Sequence, residues 1–363
     1  MRAATLTVTL ALLAAACAGG EPAAEEETAP AAGATTATAA ESEAAQPETF
    51  VIVSGAASDG DPADLGVFDF YPSTVQVHPG DTLRFENGSG TIPVPHTVTL
   101  GAATDIGATI PPPVAPPIGQ VPAAWGMCVS EQPLAPSDTA CPAGDAAFPP
   151  EGETLELPAF AGQGFYNSGI FDKGQAVVLP VADDVSPASY SFVCYLHPAT
   201  MEMTVEVVPA DEPVQAQDDL DAAAEEAIGA DVQDGLAALA AAEEAQRPPD
   251  TVQAGAEQGR AVITRFFPAE LTVPAGTTVT WVNQGADPHV VALGVEVAPH
   301  APENFAPPTV APGGEYIGGS AVSGVFGNPP FPSTTYALRF PDPGRYTYLC
   351  PIHPGMAGVI EVT

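Results

Sequence analysis

Apolar and polar residues alternate with period two in several short stretches of this chain, the pattern of strands that bury one face. Phe70-Tyr71-Pro72-Ser73-Thr74-Val75-Gln76-Val77 is one such stretch. Phe266-Phe267-Pro268-Ala269-Glu270-Leu271-Thr272-Val273 repeats it far downstream. Each runs into a glycine turn, at Gly80 or Gly276. Thr82-Leu83-Arg84-Phe85-Glu86-Asn87 then answers Thr278-Val279-Thr280-Trp281-Val282-Asn283. The run from Pro95 through His96 to Gly101 answers that from Pro288 through His289 to Gly294. Ser168-Gly169-Ile170-Phe171 answers Ser323-Gly324-Val325-Phe326, with near-equal separations from there to Cys194 and Cys350. One shared motif is chance; this many in one order are a repeat. With 42 prolines and 35 glycines, the pattern predicts an all-β, loop-rich protein in which one unit occurs twice.

The period changes between the copies. Ala, Asp, Glu and Gln dominate residues 210–258, and Ile228, Val232, Leu236 and Leu239 fall on one helical stripe. Gly229 and Gly235 each cost such a helix about 1 kcal/mol relative to Ala, and Pro248-Pro249 ends it. The segment reads as an acidic helical linker, docked on one domain or standing as a solvated spacer. It separates domain 49–209 from domain 259–363. The first copy is the longer, because a Pro-rich insertion between His96 and Ser168 carries Cys128 and Cys141.

At the start, Arg2 and the apolar run Leu6 to Ala16 read as an export signal over residues 1–16, too short to span a bilayer. Leu13-Ala14-Ala15-Ala16-Cys17 resembles a bacterial lipoprotein cleavage site, with Cys17 as the lipidated residue. Such sites usually carry Leu three residues before the Cys, where this chain has Ala14. Residues 17–48 have almost no apolar bulk and read as a disordered tether. These features predict an extracytoplasmic protein, lipid-anchored to the outer face of a bacterial cytoplasmic membrane or periplasmic. In that compartment Cys128 and Cys141 form a candidate disulfide. The formal charge of −37, from 8 Lys+Arg against 45 Asp+Glu, excludes nucleic acid as a partner and favours basic ones. It equally suits a salt-rich habitat or solubility.

Chemistry concentrates where an aromatic strand ends. Tyr190 to Met201 reads YSFVCYLHPATM, and Tyr346 to Met356 reads YTYLCPIHPGM. Each places Cys, then His three residues on, then Met beyond, and a second imidazole lies upstream at His96 or His289. Two imidazoles, a thiolate and a weak axial thioether are the donor set of a trigonal blue-copper site.

With these motifs the sequence resembles the cupredoxins, the plastocyanin, pseudoazurin and amicyanin group, over both copies. The resemblance implies Greek-key β-sandwiches with the metal under loops at one end. It assigns His96, Cys194, His197 and Met201 to one type 1 copper, and His289, Cys350, His353 and Met356 to a second. The first loop has one more residue between His and Met, so Met203 rivals Met201 as axial ligand. Many members carry Asn after the upstream His; here Thr97 keeps a hydroxyl at that place and Val290 does not, which predicts two different reduction potentials. The resemblance further implies that the edges of His197 and His353 lie at an apolar docking patch.

Two such sites use four of the 6 histidines. No His-x-His pair supplies a trinuclear cluster, and Val193 and Leu349 stand where a copper nitrite reductase of this family needs His before the ligand Cys. The expectation is therefore a two-copper electron carrier and not an enzyme. Its partners would be a redox donor and acceptor, such as a c-type cytochrome or a membrane oxidase, with membrane contact through the anchor only. The alternative is copper storage, delivery or tolerance; a structural pair of sandwiches without stoichiometric copper is a third reading.

Overall fold

The computed structural model describes residues 46–363 except 58–59, 61, 91–93, 102–126, 131–153, 195, 198–199, 296, 298–303, 305, 329–330 and 332. They belong to one compact unit, Ala44–Thr363. Cys17, the export signal, nearly all of the tether and Cys141 lie outside the described residues, as does the side chain of Cys128. Nothing among the described helices is long and apolar enough to cross a membrane.

The fold is all-β apart from a single described helix, and the repeat governs its topology. A ten-stranded sheet runs through both halves of the chain. At its centre Leu65–Tyr71 pairs antiparallel with Ala261–Phe267. Outward from that seam the first half adds Thr49–Ala56, Thr82–Asn87, Ala176–Pro180 and Thr154–Glu156. The second adds Thr251–Gln258, Thr277–Val282, Thr335–Phe340 and Gly314–Glu315. Each half packs its share of this sheet against a smaller one, which among the described residues has six strands in the first half and five in the second. The extra strand, Met127–Ser130, comes from the Pro-rich insertion and pairs with Phe165–Ser168.

Alternation along the strands sorts side chains between the cores. Phe50, Ile52, Phe70, Leu83 and Phe85 meet Val75, Val77, Phe192 and Val205 inside the first sandwich. Val252, Phe266, Val279, Trp281 and Tyr336 meet Leu271, Tyr348, Ile360 and Val362 inside the second. At the seam, Val67 faces Ala261, Gly66 faces Val262 and Leu65 faces Ile263. Because these strands are equivalent in the repeat, their register defines a local two-fold through Gly66 and Val262.

The helix, Gln217–Glu244, covers this seam. Ala224, Val232 and Ala242, with Ile228, Leu236 and Leu239, pack on Leu65, Val67 and Tyr71 of the first half and Ala261, Ile263 and Phe267 of the second. It thus docks on both halves rather than on one, because neither presents a complete apolar face until the two strands pair. Arg247 closes its end by donating to the carbonyls of Ala242 and Ala245. The expected boundary at 258/259 is corrected: Thr251–Gln258 is a strand in register with Ala261–Phe267. Its buried apolar side chains are Val252, Ala254 and Ala256, so its composition resembled that of the helix before it.

A polar cluster lies near the helix. The Tyr71 hydroxyl donates to Asp231 at 2.6 Å, and Arg260 Nε lies 3.4 Å from Asp69. Burial raises Asp69 to about 7, against the pull of Arg260 and the Phe70 N–H.

Two outcomes follow from this packing. A Cβ at Gly235 would sit 2.9 Å from both Ala261 Cβ and Leu65 Cδ1, whereas one at Gly229 meets nothing within 4 Å. Urea denaturation should show Gly229→Ala stabilising by about 1 kcal/mol and Gly235→Ala destabilising by about 1–3 kcal/mol through overpacking. Asp69 binds its proton more tightly folded than unfolded. Its stabilising contribution is therefore complete below pH 4 and lost as pH rises through 7. Thermal melts should show Asp69→Asn gaining Tm over the parent at pH 8 and little at pH 4.

Candidate metal centres

In each half, three ligand-bearing side chains converge at one end of the sandwich. His96, Cys194 and His197 form one group and His289, Cys350 and His353 the other, all buried, with their ligand atoms within 4.8 Å of one another. The upstream histidine is fixed by backbone pairing. His96 and Phe171 exchange N–H···O bonds of 3.1 and 3.0 Å, and His289 and Phe326 exchange bonds of 3.0 and 2.9 Å. The repeated Ser and Asn residues tie down the same segment. Ser168 Oγ accepts from the Val98 N–H, and Ser323 Oγ from that of Val291, both at 2.8 Å. Asn87 Nδ2 donates to the carbonyls of Val94 and Phe171, and Asn283 Nδ2 to those of Asp287 and Phe326.

The Cys–His–Met loop closes on itself. The Cys194 N–H donates to the Met201 carbonyl and the Met201 N–H to the His197 carbonyl, each at 2.9 Å. Cys350, His353 and Met356 repeat this at 2.9 and 3.0 Å. Met201 therefore occupies the place of Met356 despite its longer loop, while Met203 stands opposite Phe192 in the following strand pair. Both methionines of the closed loops are buried in the cores that hold the cysteines.

The donor geometry fits a trigonal metal. Cys194 Sγ lies 3.9 Å from His96 Nδ1 and 3.5 Å from His197 Nδ1. Cys350 Sγ lies 3.9 Å from His289 Nδ1 and 3.4 Å from His353 Nδ1. A metal bonded to sulfur at about 2.3 Å and nitrogen at about 2.0 Å in a trigonal plane holds those donors roughly 3.7 Å apart. His289 Nδ1 and His353 Nδ1 are 3.1 Å apart, also close to what one shared ion imposes. Each sulfur accepts a 3.3 Å bond from the backbone N–H after the upstream His, Thr97 or Val290. This bond is the same whether a hydroxyl follows or not, so the side-chain difference between Thr97 and Val290 leaves it intact.

The outer nitrogens decide how the sites are enclosed. A Cβ on Gly55 would lie 2.4 Å from His96 Nε2, and one on Gly255 2.3 Å from His289 Nε2. Each glycine sits at a break in strand register with φ of +65° or +70°. The Nε2 atoms of His197 and His353 turn instead toward one carboxylate. Asp287 Oδ2 is 3.0 Å from His353 Nε2 and Oδ1 is 3.9 Å from His197 Nε2. Phe68 lies on the His197 ring at a centroid distance of 4.5 Å. The histidine edges are therefore not a docking tip: His197 is 8% exposed and His353 3%. The seam between the halves turns both edges inward, which corrects the expectation drawn from the resemblance.

Electrostatics separate the two groups. Burial pushes the Cys194 thiol up and pushes His96 and His197 down, the last to about 4. In the second group burial is outweighed by charge. The facing His353 brings Cys350 down to about 6, Asp287 lifts His353 well above the ordinary imidazole range, and His353 holds Asp287 at about 2. Gly55, Gly255, Phe68 and Asp287 had no place in the motif reading. The two glycines do stand at matching places in Ser54-Gly55-Ala56 and Ala254-Gly255-Ala256, a signal the repeat contained.

Residues 251–363 match the model of the copper binding proteins, plastocyanin/azurin family. The chain is 31% identical over 114 residues to plastocyanin of Scenedesmus fuscus, covering 97% of that protein and 31% of this chain. It is 29% identical over 110 residues to amicyanin-alpha of Methylorubrum extorquens, covering 73% of that protein and 30% of this chain. Among solved structures, a reduced Cu(I) amicyanin variant matches at 24% identity and a TM-score of 0.21, over 34% of this chain and 89% of that one. A purple cupredoxin from Nitrosopumilus maritimus matches at 21% identity and a TM-score of 0.19, over 31% and 98%.

Gly55→Ala and Gly255→Ala should each force an imidazole off its sulfur and strain a positive-φ site. Urea unfolding of the metal-free chain should register a loss of about 1–3 kcal/mol for either.

Proposed function

Because the chain belongs to the plastocyanin/azurin family of copper binding proteins, we propose that it is an extracytoplasmic electron carrier with two type 1 copper centres, one in each of two tandem cupredoxin domains. His96, Cys194 and His197, with the buried Met201 beside them, would hold one copper. His289, Cys350 and His353, with the buried Met356 beside them, would hold the other. The observation that carries this reading is the convergence, twice in one chain, of one sulfur and two Nδ1 atoms at separations suited to a trigonal ion. The bound ion supplies a one-electron couple.

The protein contributes a cage that does not rearrange. Backbone bonds fix both upstream histidines, the Cys–Met closure fixes each loop, and the backbone N–H to sulfur holds the thiolate. None of these bonds depends on the charge of the ion, so little must move when an electron arrives or leaves. Burial of all six residues keeps water from the sulfur. The formal charge of −37 favours a basic redox donor and acceptor, for which a c-type cytochrome or a membrane oxidase is suitable. Such a partner docks elsewhere than on the edges of His197 and His353. The export signal and Cys17 support placement outside the cytoplasm, with a lipid anchor.

Metal analysis of the copper-loaded chain should give two coppers in the wild type and one each in Cys194→Ser and Cys350→Ser, with an intense blue thiolate band that bleaches reversibly on reduction. A colourless chain that yields copper readily to a chelator would replace the carrier with a delivery protein.

A further inference from the structure

Building on the copper reading above, we propose that Asp287 is a positioning residue shared by both centres. Its one carboxylate, sealed between the outer nitrogens of His197 and His353, orients the His353 imidazole by a hydrogen bond, faces that of His197 as a charge, and sets the two reduction potentials jointly.

The carboxylate has few other partners. Its side chain is 3% exposed, and among the described residues its oxygens meet no hydrogen-bond donor besides the loop imidazoles. A buried carboxylate without compensation is destabilising by several kcal/mol. The two Nε2 atoms, at 3.0 and 3.9 Å, are the compensation the structure offers. The backbone holds Asp287 in this position. Glu257 accepts from the N–H groups of Ala286 and Asp287 at 2.7 Å each, and Asn283 donates to the Asp287 carbonyl, also at 2.7 Å. The turn is therefore clamped from both sides, and the side chain is delivered to the seam rather than left to find it.

The repeat shows that the fold does not require this device. The residue two before the upstream histidine is Asp287 in the second copy and Val94 in the first. The residue two after the bulge glycine is Glu257 in the second and Ala57 in the first. Val94 keeps the same carbonyl bond to Asn87 that Asp287 keeps to Asn283. Carboxylate and clamp thus occur together in one copy, and a plain apolar pair suffices in the other.

The chemistry follows from which nitrogen is left over. Each loop histidine faces its sulfur through Nδ1, leaving an Nε2–H to donate. A carboxylate that accepts from a ligand imidazole fixes its ring and raises its basicity. A fixed anion there favours the more positive oxidised state of the ion and so lowers the potential. One carboxylate facing two rings cannot serve both equally, and the distances already favour His353. Tightening on one side loosens the other, so the state of each centre biases its neighbour, reciprocally.

The test uses the full copper-loaded chain as wild type, Asp287→Asn and Asp287→Val, the last restoring the residue of the first copy. Each is also made in the Cys194→Ser and Cys350→Ser backgrounds, so that each centre titrates alone. Spectroelectrochemistry should show both potentials rising in both variants. The Cys350 centre should shift by at least tenfold in redox equilibrium, about 59 mV for a one-electron couple, and the Cys194 centre by less in the same direction. Emptying the first centre should move the second in the parent and not in the Asp287 variants, the interaction term of a double-mutant cycle. A loaded chain whose Cys194 centre is unmoved would overturn the sharing, as would variants that lose copper without any change of potential in the centre retained. A wild type that takes up no copper would overturn the carrier reading along with it, so the two failures are distinct.

Discussion

Antiparallel pairing of Leu65–Tyr71 with Ala261–Phe267 is the contact on which the arrangement depends. Each strand would otherwise be the edge of its own sheet, with unpaired backbone groups and an apolar outer face. Edges of that kind invite pairing with other chains. Here they satisfy one another, and the helix Gln217–Glu244 covers the combined apolar surface. The remaining polarity of the seam is handled by Asp69, Arg260, Tyr71 and Asp231 at one side.

The same pairing dictates where the candidate metal groups lie. A register symmetric about Gly66 and Val262 relates the halves by a local two-fold, so equivalent loops approach a common region. His197 and His353, whose edges the resemblance put at an apolar docking patch, are brought against Asp287. A partner protein then has no access to those ring edges, and the two sites share an electrostatic environment. Symmetry is broken by single residues. Phe68 lies on His197 where the second copy has Thr264, and Asp287 stands where the first has Val94.

Those substitutions divide the two groups by charge. Around Cys194 burial dominates and favours neutral thiol and imidazole. Around Cys350 the Asp287–His353 pair outweighs burial and favours thiolate. Thr97 and Val290 give the same backbone bond to sulfur, and the Thr97 side chain adds a hydrogen bond to Cys194 that Val290 cannot make. Asp287, three residues before Val290, adds a second and charged asymmetry.

The sequence by itself determined the all-β class and marked the Cys and His positions that the structure brings together, because strand alternation and loop spacing are local and survive in the order of residues. It also marked the helical stripe of Ile228, Val232, Leu236 and Leu239. It did not mark Thr251–Gln258 as a strand, since small residues at a bulge carry little periodicity. Nor did it give Gly235 a reason to be glycine; only Leu65 and Ala261 pressed against it do that. The role of Asp287 was beyond reach for the same cause. An acidic residue before Pro-His is one of 45, and its meaning arises only when strand pairing brings a loop from another part of the chain within reach of its carboxylate.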